Sequence, residues 1–234
     1  MSSRPVSSGV AAIVPAAGAG RRLAKKTLKS FVKILGKPLL AHTLQALKKT
    51  FPYKEIIVAV KPSQLNRTLR IFRRYRLGRT RVVKGGRTRA ESVANALRHV
   101  SEDCGWVLIH DAARPLVSAG LVRRLLAAAG KTGAAIATIP VTSTLKMLDP
   151  EGRVVLRTVD RRNFFLAQTP QVFRKERLVR RYKMLGERAL LATDEASLFE
   201  GSSVRVRAVP GEAQNIKITT AEDLKLMRFY LRGR

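Results

Sequence analysis

The sequence predicts one α/β domain, in which a mostly parallel, twisted sheet is covered by helices on both faces. Two observations predict it. Short apolar runs of strand length alternate with helical patterns along most of the 234 residues, which is typical of repeated βα units. No internal repeat or low-complexity linker divides the chain, and its length suits a single core. In such sheets, ligands bind at the carboxyl ends of the strands.

The predicted elements follow from the positions of these runs. Residues 9–15 are rich in Val and Ile and bounded by turn residues, as a buried parallel strand requires. Residues 38–49 place Leu44 and Leu47 at helical spacing, with Pro38 suited to the first helical position. The other predicted strands span 55–60, 82–83, 106–109, 134–140 and 204–209, and the other helices 64–75, 89–100, 118–129 and 220–231. In the helix at 64–75, we expect Leu65, Leu69 and Phe72 to face the core and Arg67, Arg70 and Arg74 to face solvent.

The alternation breaks at residues 141–173. Two strand patterns, 145–148 and 153–159, flank the turn sequence Asp149-Pro150-Glu151-Gly152, and together they predict a hairpin. We expect 141–173 to form a β-arm inserted into a single domain of 1–234, whose first nine residues are a flexible tail.

The net charge of +30 is abnormal and unevenly spread. Residues 1–90 hold 22 of the 46 Lys and Arg but one acid, Glu55, so they carry +21 of the +30. Such a field attracts polyanions in general and favours non-specific binding to them, although a basic surface by itself names no function.

Other overall properties of the sequence exclude several classes of protein. The single cysteine, Cys104, excludes a disulfide framework and a cysteine-rich metal site. No run approaches the roughly 18 apolar residues of a membrane span. The Ser- and Arg-containing tail of 1–9 is too short to be a signal or transit peptide, so we expect a cytoplasmic protein.

The first candidate ligand-binding segment follows the first strand. Pro15, Ala16, Ala17, Gly18 and Gly20 are small, so backbone N–H groups there can approach a triphosphate closely. A dinucleotide-binding turn is disfavoured because Leu23 replaces its third glycine and no acid precedes Glu55. A Walker A loop is disfavoured because no Gly-Lys-Ser/Thr follows. Cations do follow, among them Arg22 and Lys29, and a triphosphate requires two or three of them.

The second segment is 85–92, a Gly-Gly turn entering a helix. Gly86 and Ser92 are candidates to hold a base or ribose near backbone amides. A plain turn with a Ser or Thr helix cap explains the segment equally well on the residues alone.

The third segment, 110–115, directly follows a predicted strand. Asp111 lies where α/β enzymes place metal ligands and phosphate-directed groups. With no second carboxylate close behind it, Mg²⁺ here would depend on phosphate oxygens and water; a capping role is the alternative. His110 is interpreted as a packed histidine at the strand end.

The fourth candidate consists of two segments, 193–197 and 215–219. The first is typical of a helix start, with Asp194 and Glu195 in the opening turn. In the second, Lys217 lies between Ile216 and Ile218 in a predicted short strand, so it is expected to point away from a buried face and into the cleft.

Taken together, these segments resemble 2-C-methyl-D-erythritol 4-phosphate cytidylyltransferases, a family of the non-mevalonate isoprenoid pathway. The resemblance runs from about residue 11 to residue 231. Each motif is weak alone, but their order is specific. They lie at 15–22, 29, 85–92, 110–115, 158–161, 168–171, 193–197 and 215–217.

The resemblance implies a Rossmann-like nucleotidyltransferase fold and a homodimer whose arms interlock. It implies attack by methylerythritol phosphate on the α-phosphorus of CTP, with Mg²⁺ as cofactor and no covalent intermediate. Arg22 and Lys29 would stabilise charge at phosphorus, while Lys217 and Arg161 would position the second substrate, Arg161 reaching in from the partner's arm. The other implied contacts to the second substrate are Thr144, also from the partner's arm, Arg114, Thr169, Thr193 and Asp111. The implied contacts to the nucleotide are Pro15, Ala16, Ala17, Gly18, Gly20, Gly86, Ser92 and Ala112.

Three departures from the family pattern affect details of this site. Leu28 stands where proline is usual in the family, and Ser143 replaces a frequent acid. Arg87 stands where many relatives carry an acid or a small residue near the nucleotide sugar, so the resemblance assigns it no role. A ribitol-5-phosphate cytidylyltransferase shares fold and mechanism, but the sequence 159–161 favours methylerythritol phosphate. A basic nucleic-acid-binding protein on the same fold is the alternative from another class. It is disfavoured because no recognised module is present and aromatic residues are sparse.

Overall fold

The computed structural model describes residues 9–18 and 28–232. Eleven strands occur in these ranges, seven of them in one central sheet. The strands are β1 (Gly9–Pro15), β2 (Lys33–Ile34), β3 (Lys37–Pro38), β4 (Glu55–Val60), β5 (Thr80–Lys84), β6 (Cys104–Ile109), β7 (Ala134–Pro140), β8 (Leu145–Leu148), β9 (Val155–Val159), β10 (Phe165–Arg174) and β11 (Arg207–Pro210).

Six α-helices surround this sheet in the described part of the chain. None of them combines the length and the hydropathy that crossing a membrane demands. They are α1 (Leu39–Thr50), α2 (Leu65–Arg74), α3 (Arg89–Leu97), α4 (Ala119–Thr132), α5 (Lys175–Leu185) and α6 (Ala221–Arg232).

The central sheet has the order β11-β7-β10-β6-β1-β4-β5. All neighbouring pairs are parallel except those of β10, which runs antiparallel to both β6 and β7. The predicted mostly parallel sheet is therefore confirmed. Because β1 and β6 pair in register, Ile13 opposite Ile109, the loops that follow these two strands emerge side by side.

Burial on both faces of the sheet explains the continuous apolar run of β1. Val10 and Val14 pack into one core with α1 and α4, whereas Ala11 and Ile13 pack into a second core on the opposite face. Cys104, at the start of β6, is a buried free thiol in the second core.

The helix α2 is rotated relative to its prediction. Its buried residues are Thr68, Ile71 and Phe72, whereas Leu69, expected in the core, is 38% exposed. The prediction was wrong for Leu69 because it favoured leucine over Thr68, whose hydroxyl is satisfied by the Gln64 carbonyl at 2.8 Å and can therefore be buried. The arginines of α2 are exposed, as predicted.

Several helix boundaries also depart from the predictions. The helix α1 begins at Leu39, and Pro38 is its extended N-cap residue rather than its first residue. Residues 193–197 do not begin an α-helix; a 3-10 turn covers Ser197–Phe199. Lys217 lies in irregular chain instead of a strand, and the last strand is limited to Arg207–Pro210.

The segment 141–173 divides into two parts. The strands β8 and β9 form the predicted hairpin, and the Asp149 carboxylate closes its turn by accepting from the backbone N–H groups of Arg153 and Val154. Only the start of β10 is exposed. These exposed residues, 165–167, already pair with β7, and 168–173 are buried, so the last nine residues of the predicted arm, 165–173, are part of the central sheet.

Candidate functional site

A cavity of about 230 Å³ lies at the carboxyl ends of β1 and β6. This is the edge where a parallel sheet presents loops to ligands. Two of its lining segments directly follow those strands, and others come from 29–30, the start of α3 and the chain before α6. The lining residues are Pro15, Ala16, Ala17, Gly18, Lys29, Ser30, Arg89, Ser92, Asp111, Ala112, Ala113 and Lys217.

The segment after β1 forms a wall of small residues. The Ala16 N–H extends the ladder to the Ala59 carbonyl at 2.7 Å. A Cβ added to Gly18 would meet no described atom within 4 Å, so no packing contact there requires glycine. Open space beside bare backbone is what a phosphate needs in order to reach N–H groups.

The Gly-Gly turn packs directly against this wall. A Cβ added to Gly85 would lie 2.8 Å from the Ala17 Cβ, and one added to Gly86 would lie 2.2 Å from the Glu91 Cγ. Both positions therefore require glycine, and the structure brings the first two predicted segments together.

Helix capping accounts for much of the turn at 85–92. The Thr88 hydroxyl accepts from the Glu91 N–H and caps α3. The Ser92 hydroxyl donates to the Thr88 carbonyl at 2.8 Å and accepts from the Gly86 N–H at 3.0 Å. Ser92 lines the cavity, but its hydroxyl is already engaged by the protein, so it shapes the wall.

Asp111 is the centre of the charged side of the cavity. Its Oδ1 accepts from Arg89 Nε at 3.0 Å, and its Oδ2 accepts from Lys217 Nζ at 2.7 Å. Arg114 Nε lies 4.0 Å from the same Oδ2. Burial alone would raise the pKa of Asp111, but Arg89, Lys217 and Arg114 hold that pKa well below its usual value. The carboxylate is therefore ionised at neutral pH.

Arg89 joins this carboxylate to a second one. Its Nη1 donates to both carboxylate oxygens of Glu195 at 2.8 Å, and the Glu195 side chain is fully buried. Burial raises the pKa of Glu195, and Arg89 opposes that shift. The Tyr182 hydroxyl also donates to Glu195, at 3.3 Å.

A hydrogen-bonded relay fixes the backbone of Asp111. Its N–H donates to the Thr169 hydroxyl at 3.0 Å, that hydroxyl lies 3.2 Å from His110 Nδ1, and His110 Nε2 lies 2.8 Å from the Arg114 carbonyl. Since a carbonyl only accepts, Nε2 carries the proton and Nδ1 accepts from Thr169. Burial lowers the pKa of His110 to about 4. His110 is thus a neutral packed histidine, as predicted.

Lys217 reaches the cavity because its segment is bound to the loop after β6. The Asn215 carbonyl accepts from Arg114 Nη1 at 2.7 Å, and the Ile218 N–H donates to the Ala113 carbonyl at 2.9 Å. Asn215 is fully buried and donates from its side chain to the Thr169 carbonyl at 2.8 Å. Lys217 was predicted to face the cleft, and the structure places it there.

The structure groups the predicted site residues by location. Nine of them line the cavity: Pro15, Ala16, Ala17, Gly18, Lys29, Ser92, Asp111, Ala112 and Lys217. Arg114 and Thr169 are buried behind Asp111 and position it. Gly86 lies in the turn beside the cavity, and Thr193 is exposed outside its lining. Thr144 and Arg161 are exposed at the arm, where Arg161 donates to the Thr142 carbonyl. Gly20 and Arg22 lie outside the described residues.

The Arg89–Glu195 pair was not predicted from the sequence. The two residues are 106 positions apart, and the acids at 194–195 were assigned to a helix start that does not form. One signal was available. Arg89 is the first residue of α3, where the helix dipole disfavours a cation. Such a position indicates that acids from elsewhere in the fold compensate the charge.

The fit of a metal ion depends on Asp111. No group of three or more His, Cys, Asp and Glu side chains that could hold a metal occurs in the described ranges. A carboxylate oxygen suits Mg²⁺, but both oxygens of Asp111 already accept from cations. A metal ion at Asp111 would therefore need Arg89 or Lys217 to release one of these oxygens, and it would take its other ligands from phosphate and water.

Comparison with known proteins finds a family that matches nearly the whole chain. The family model described as 2-C-methyl-D-erythritol 4-phosphate cytidylyltransferase matches residues 10–233. A cytidylyltransferase of that name from Syntrophus aciditrophicus is 40% identical over 226 residues, which cover 95% of this chain and 96% of the relative. A bifunctional enzyme IspD/IspF from Desulfotalea psychrophila is also 40% identical, over 95% of this chain, but the match spans 56% of that longer relative.

A solved structure extends the match to three dimensions. The crystal structure of 4-diphosphocytidyl-2C-methyl-D-erythritol synthase from Anaerococcus prevotii superimposes with a TM-score of 0.83 at 30% identity. The superposition covers 96% of both chains. The similarity therefore extends over nearly the whole chain and is not restricted to the loops that line the cavity.

Proposed function

The chain belongs to the 2-C-methyl-D-erythritol 4-phosphate cytidylyltransferase family, and from that premise we propose that it transfers a cytidylyl group from CTP to 2-C-methyl-D-erythritol 4-phosphate. The products are 4-diphosphocytidyl-2-C-methyl-D-erythritol and pyrophosphate. The observation that carries the proposal is the cavity at the sheet edge, where a wall of small residues faces Lys29, Arg89 and Lys217. The family match does not favour ribitol phosphate as the acceptor.

The reaction needs no protein nucleophile. A phosphate oxygen of the acceptor forms a bond to the α-phosphorus of CTP, and the bond from that phosphorus to the bridging oxygen breaks, so pyrophosphate leaves with the electron pair. A phosphate monoester is already ionised at neutral pH, because its second pKa is about 6, and no general base is required. The protein's contribution is to position two anions and to stabilise charge at the phosphorus.

The described residues suit these tasks. In the cluster around Asp111, three cations (Arg89, Arg114 and Lys217) outnumber two carboxylates (Asp111 and Glu195), and Lys29 lines the same cavity. The cavity therefore carries net positive charge toward a ligand. Lys29, with Arg22 from the segment outside the described residues, stabilises the transition state, and Lys217 binds the acceptor phosphate.

The proposed cofactor is Mg²⁺, which Asp111 would hold. When bound, the ion neutralises charge on the polyphosphate. Asp111 meanwhile orients Lys217 and Arg89, and the relay through Thr169 and His110 keeps its backbone in place.

The proposed assembly is a homodimer formed through the arms. Residues 145–166 expose eight large apolar side chains, a surface that a second copy of the arm can cover. In this arrangement, Thr144 and Arg161 enter the partner's cavity and contact the acceptor phosphate. The exposed apolar residues are Met147, Leu148, Val154, Val155, Leu156, Phe164, Phe165 and Leu166. The cytoplasmic location stays a prediction from the sequence.

The test is a pyrophosphate-release assay with methylerythritol phosphate or ribitol 5-phosphate as acceptor, and with CTP, ATP, GTP or UTP as donor. Turnover is expected with CTP and methylerythritol phosphate. Lys29→Ala should lower kcat by about a hundredfold or more, since removing one preorganised charge contact has effects on the order of 10²–10³. Lys49→Ala, at an exposed lysine of α1, is the matched control and should retain normal turnover. Preference for ribitol phosphate, or near-normal turnover of Lys29→Ala, would contradict the proposal.

A further inference from the structure

The segment 65–84 forms a second concentration of positive charge, separate from the cavity. It comprises α2, the turn after it and β5, the edge strand of the sheet. This segment contains eight cations and no acid, and every one of the eight is exposed. We call it the basic face, and its cations are Arg67, Arg70, Arg73, Arg74, Arg76, Arg79, Arg81 and Lys84.

No acid of the described residues compensates this charge. Among the ion pairs of the described residues, none involves a cation of the basic face. The side chain of Arg81 donates to the His99 carbonyl, and Arg67 lies over the Phe31 ring at 4.4 Å. Neither contact neutralises charge, so no ion pair among the described residues relieves the repulsion between these cations.

The backbone of the turn strengthens this observation. Arg76 and Arg79 have φ of 51° and 58°, a left-handed conformation that favours glycine or asparagine. The chain holds arginine at both positions despite the strain. A basic side chain is therefore present here against local backbone preference.

The arrangement of the cations is regular. The apolar side of α2 is buried, so its arginines project outward. Arg67, Arg70 and Arg74 are spaced i, i+3 and i+7, which places them along about 10 Å of one helix face. These three arginines line a cavity of about 380 Å³ together with Lys33 and Tyr75. In β5, Val82 packs on the α2 side of the sheet and Val83 on the α3 side. Because side chains alternate along a strand, Lys84 lies on the α2 side, whereas Arg81 lies on the α3 side, where it donates to the His99 carbonyl.

We propose that the basic face binds the phosphate backbone of double-helical nucleic acid without regard to base sequence. A duplex carries one negative charge per about 1.7 Å of its axis, so about six phosphate charges lie along the roughly 10 Å that Arg67, Arg70 and Arg74 span. A duplex also extends to the remaining cations, which no single small phosphate ligand does. A site for one phosphate group would not need eight cations distributed over α2, a turn and a strand.

Two other polyanions match the surface less well. A single strand binds through stacking on aromatic rings, but here the Phe31 ring is covered by Arg67 and Tyr75 is half-buried. An anionic membrane is bound through charge together with inserted apolar side chains. The only exposed large hydrophobic side chain of α2 is Leu69, so this face offers nothing comparable to insert.

The basic face is separable from the proposed active site. The cavity at α2 and the cavity at Asp111 share no lining residue. Substitutions at Arg70 and Arg74 can therefore test nucleic-acid binding while CTP turnover reports that the protein is folded.

The experiment measures fluorescence anisotropy of a labelled 20-base-pair DNA duplex from 50 to 300 mM NaCl. It compares the full chain with Arg70→Gln/Arg74→Gln and with a control, Arg123→Gln/Lys131→Gln, which removes two exposed cations from α4. Each pair includes one residue from the last turn of its helix. Further arms use duplex RNA, single strands of the same length and vesicles that contain anionic lipid.

We expect the logarithm of the duplex association constant to fall linearly with the logarithm of salt concentration. Its slope should be smaller by about 2 in Arg70→Gln/Arg74→Gln, because each lost phosphate contact removes about 0.9, and unchanged in the control. CTP turnover should stay within about twofold, and saturating CTP should not displace the duplex. Three results would overturn the proposal: no duplex binding at 100 mM NaCl, equal weakening by both variants, or displacement by CTP. Stronger binding to single strands or vesicles would assign the face to another partner and also overturn it.

Discussion

Arg89→Met tests directly how the charged cluster is held together. Arg89 is the one described residue that contacts both Asp111 and Glu195. After the substitution, Asp111 keeps Lys217 at 2.7 Å. Glu195 keeps only the Tyr182 hydroxyl at 3.3 Å, and its side chain is fully buried. The substitution therefore isolates one buried carboxylate.

The expected destabilisation follows from this geometry. Removing one partner of a buried ion pair costs about 3–5 kcal/mol. Methionine and arginine have similar helix propensities, so α3 itself is little affected, and removing a cation from its first position relieves about 0.5 kcal/mol of unfavourable dipole interaction. The free energy of unfolding should therefore fall by about 3–4 kcal/mol, a large share of the roughly 5–15 kcal/mol typical of a domain.

The measurement is urea unfolding at pH 7.5 without ligands. Arg98→Met, at an exposed arginine at the other end of α3, is the control and should change the unfolding free energy by no more than about 0.5 kcal/mol. Adding Glu195→Gln to Arg89→Met should recover about 2 kcal/mol, since the isolated charge is then removed. A loss below about 1 kcal/mol for Arg89→Met, or strict additivity in the double variant, would refute this account of the cluster.

Two further predictions concern the relay and the arm. Burial holds the pKa of His110 at about 4 rather than 6.5, so the unfolded chain binds a proton that the native state excludes. The free energy of unfolding should therefore fall by roughly 3 kcal/mol as pH drops from 6.5 to 4, at about 1.4 kcal/mol per unit, and equal pH slopes for the wild type and His110→Gln would contradict this. In the arm, the side chains of Leu156 and Phe165 are 59% and 55% exposed. The double substitution Leu156→Asp/Phe165→Asp should convert the proposed dimer to a monomer, as measured by light scattering. An unchanged mass would place the interface elsewhere.

The fold was predictable where burial leaves a simple pattern. Strands such as β1 and β4 are apolar on both faces, and the ranges predicted for them, 9–15 and 55–60, are the ranges observed. The strand β10 was missed because its buried half contains Gln168, Thr169 and Gln171, polar residues whose burial depends on partners elsewhere in the fold. The helix α5 was not predicted, although its sequence carries the signal. Leu178 is buried, and the partly buried Val179, Tyr182 and Leu185 follow it at helical spacing against the second core.

The site was predictable where it follows the ends of strands and less so where distant segments meet. Asp111 and the small residues at 15–18 directly follow β6 and β1, so strand prediction places them at one edge. Glu195 and Asn215 reach the site through irregular chain, and only the folded structure determines their contacts. The roles of Arg114 and Thr169 behind Asp111 likewise depend on three-dimensional position.

The structure also explains why acids occur inside a cluster that we propose to bind anions. Arg89, Arg114 and Lys217 would repel one another in the absence of substrate, and the first two are largely buried, so their charge requires compensation within the protein. Asp111 and Glu195 provide it, while the cluster stays cationic by one charge. An arriving phosphate then competes with Asp111 for Lys217, which is the most exposed of the three cations. Asp111 is thus a counter-ion that keeps the cations in place before binding, and this role does not depend on whether it also ligates a metal.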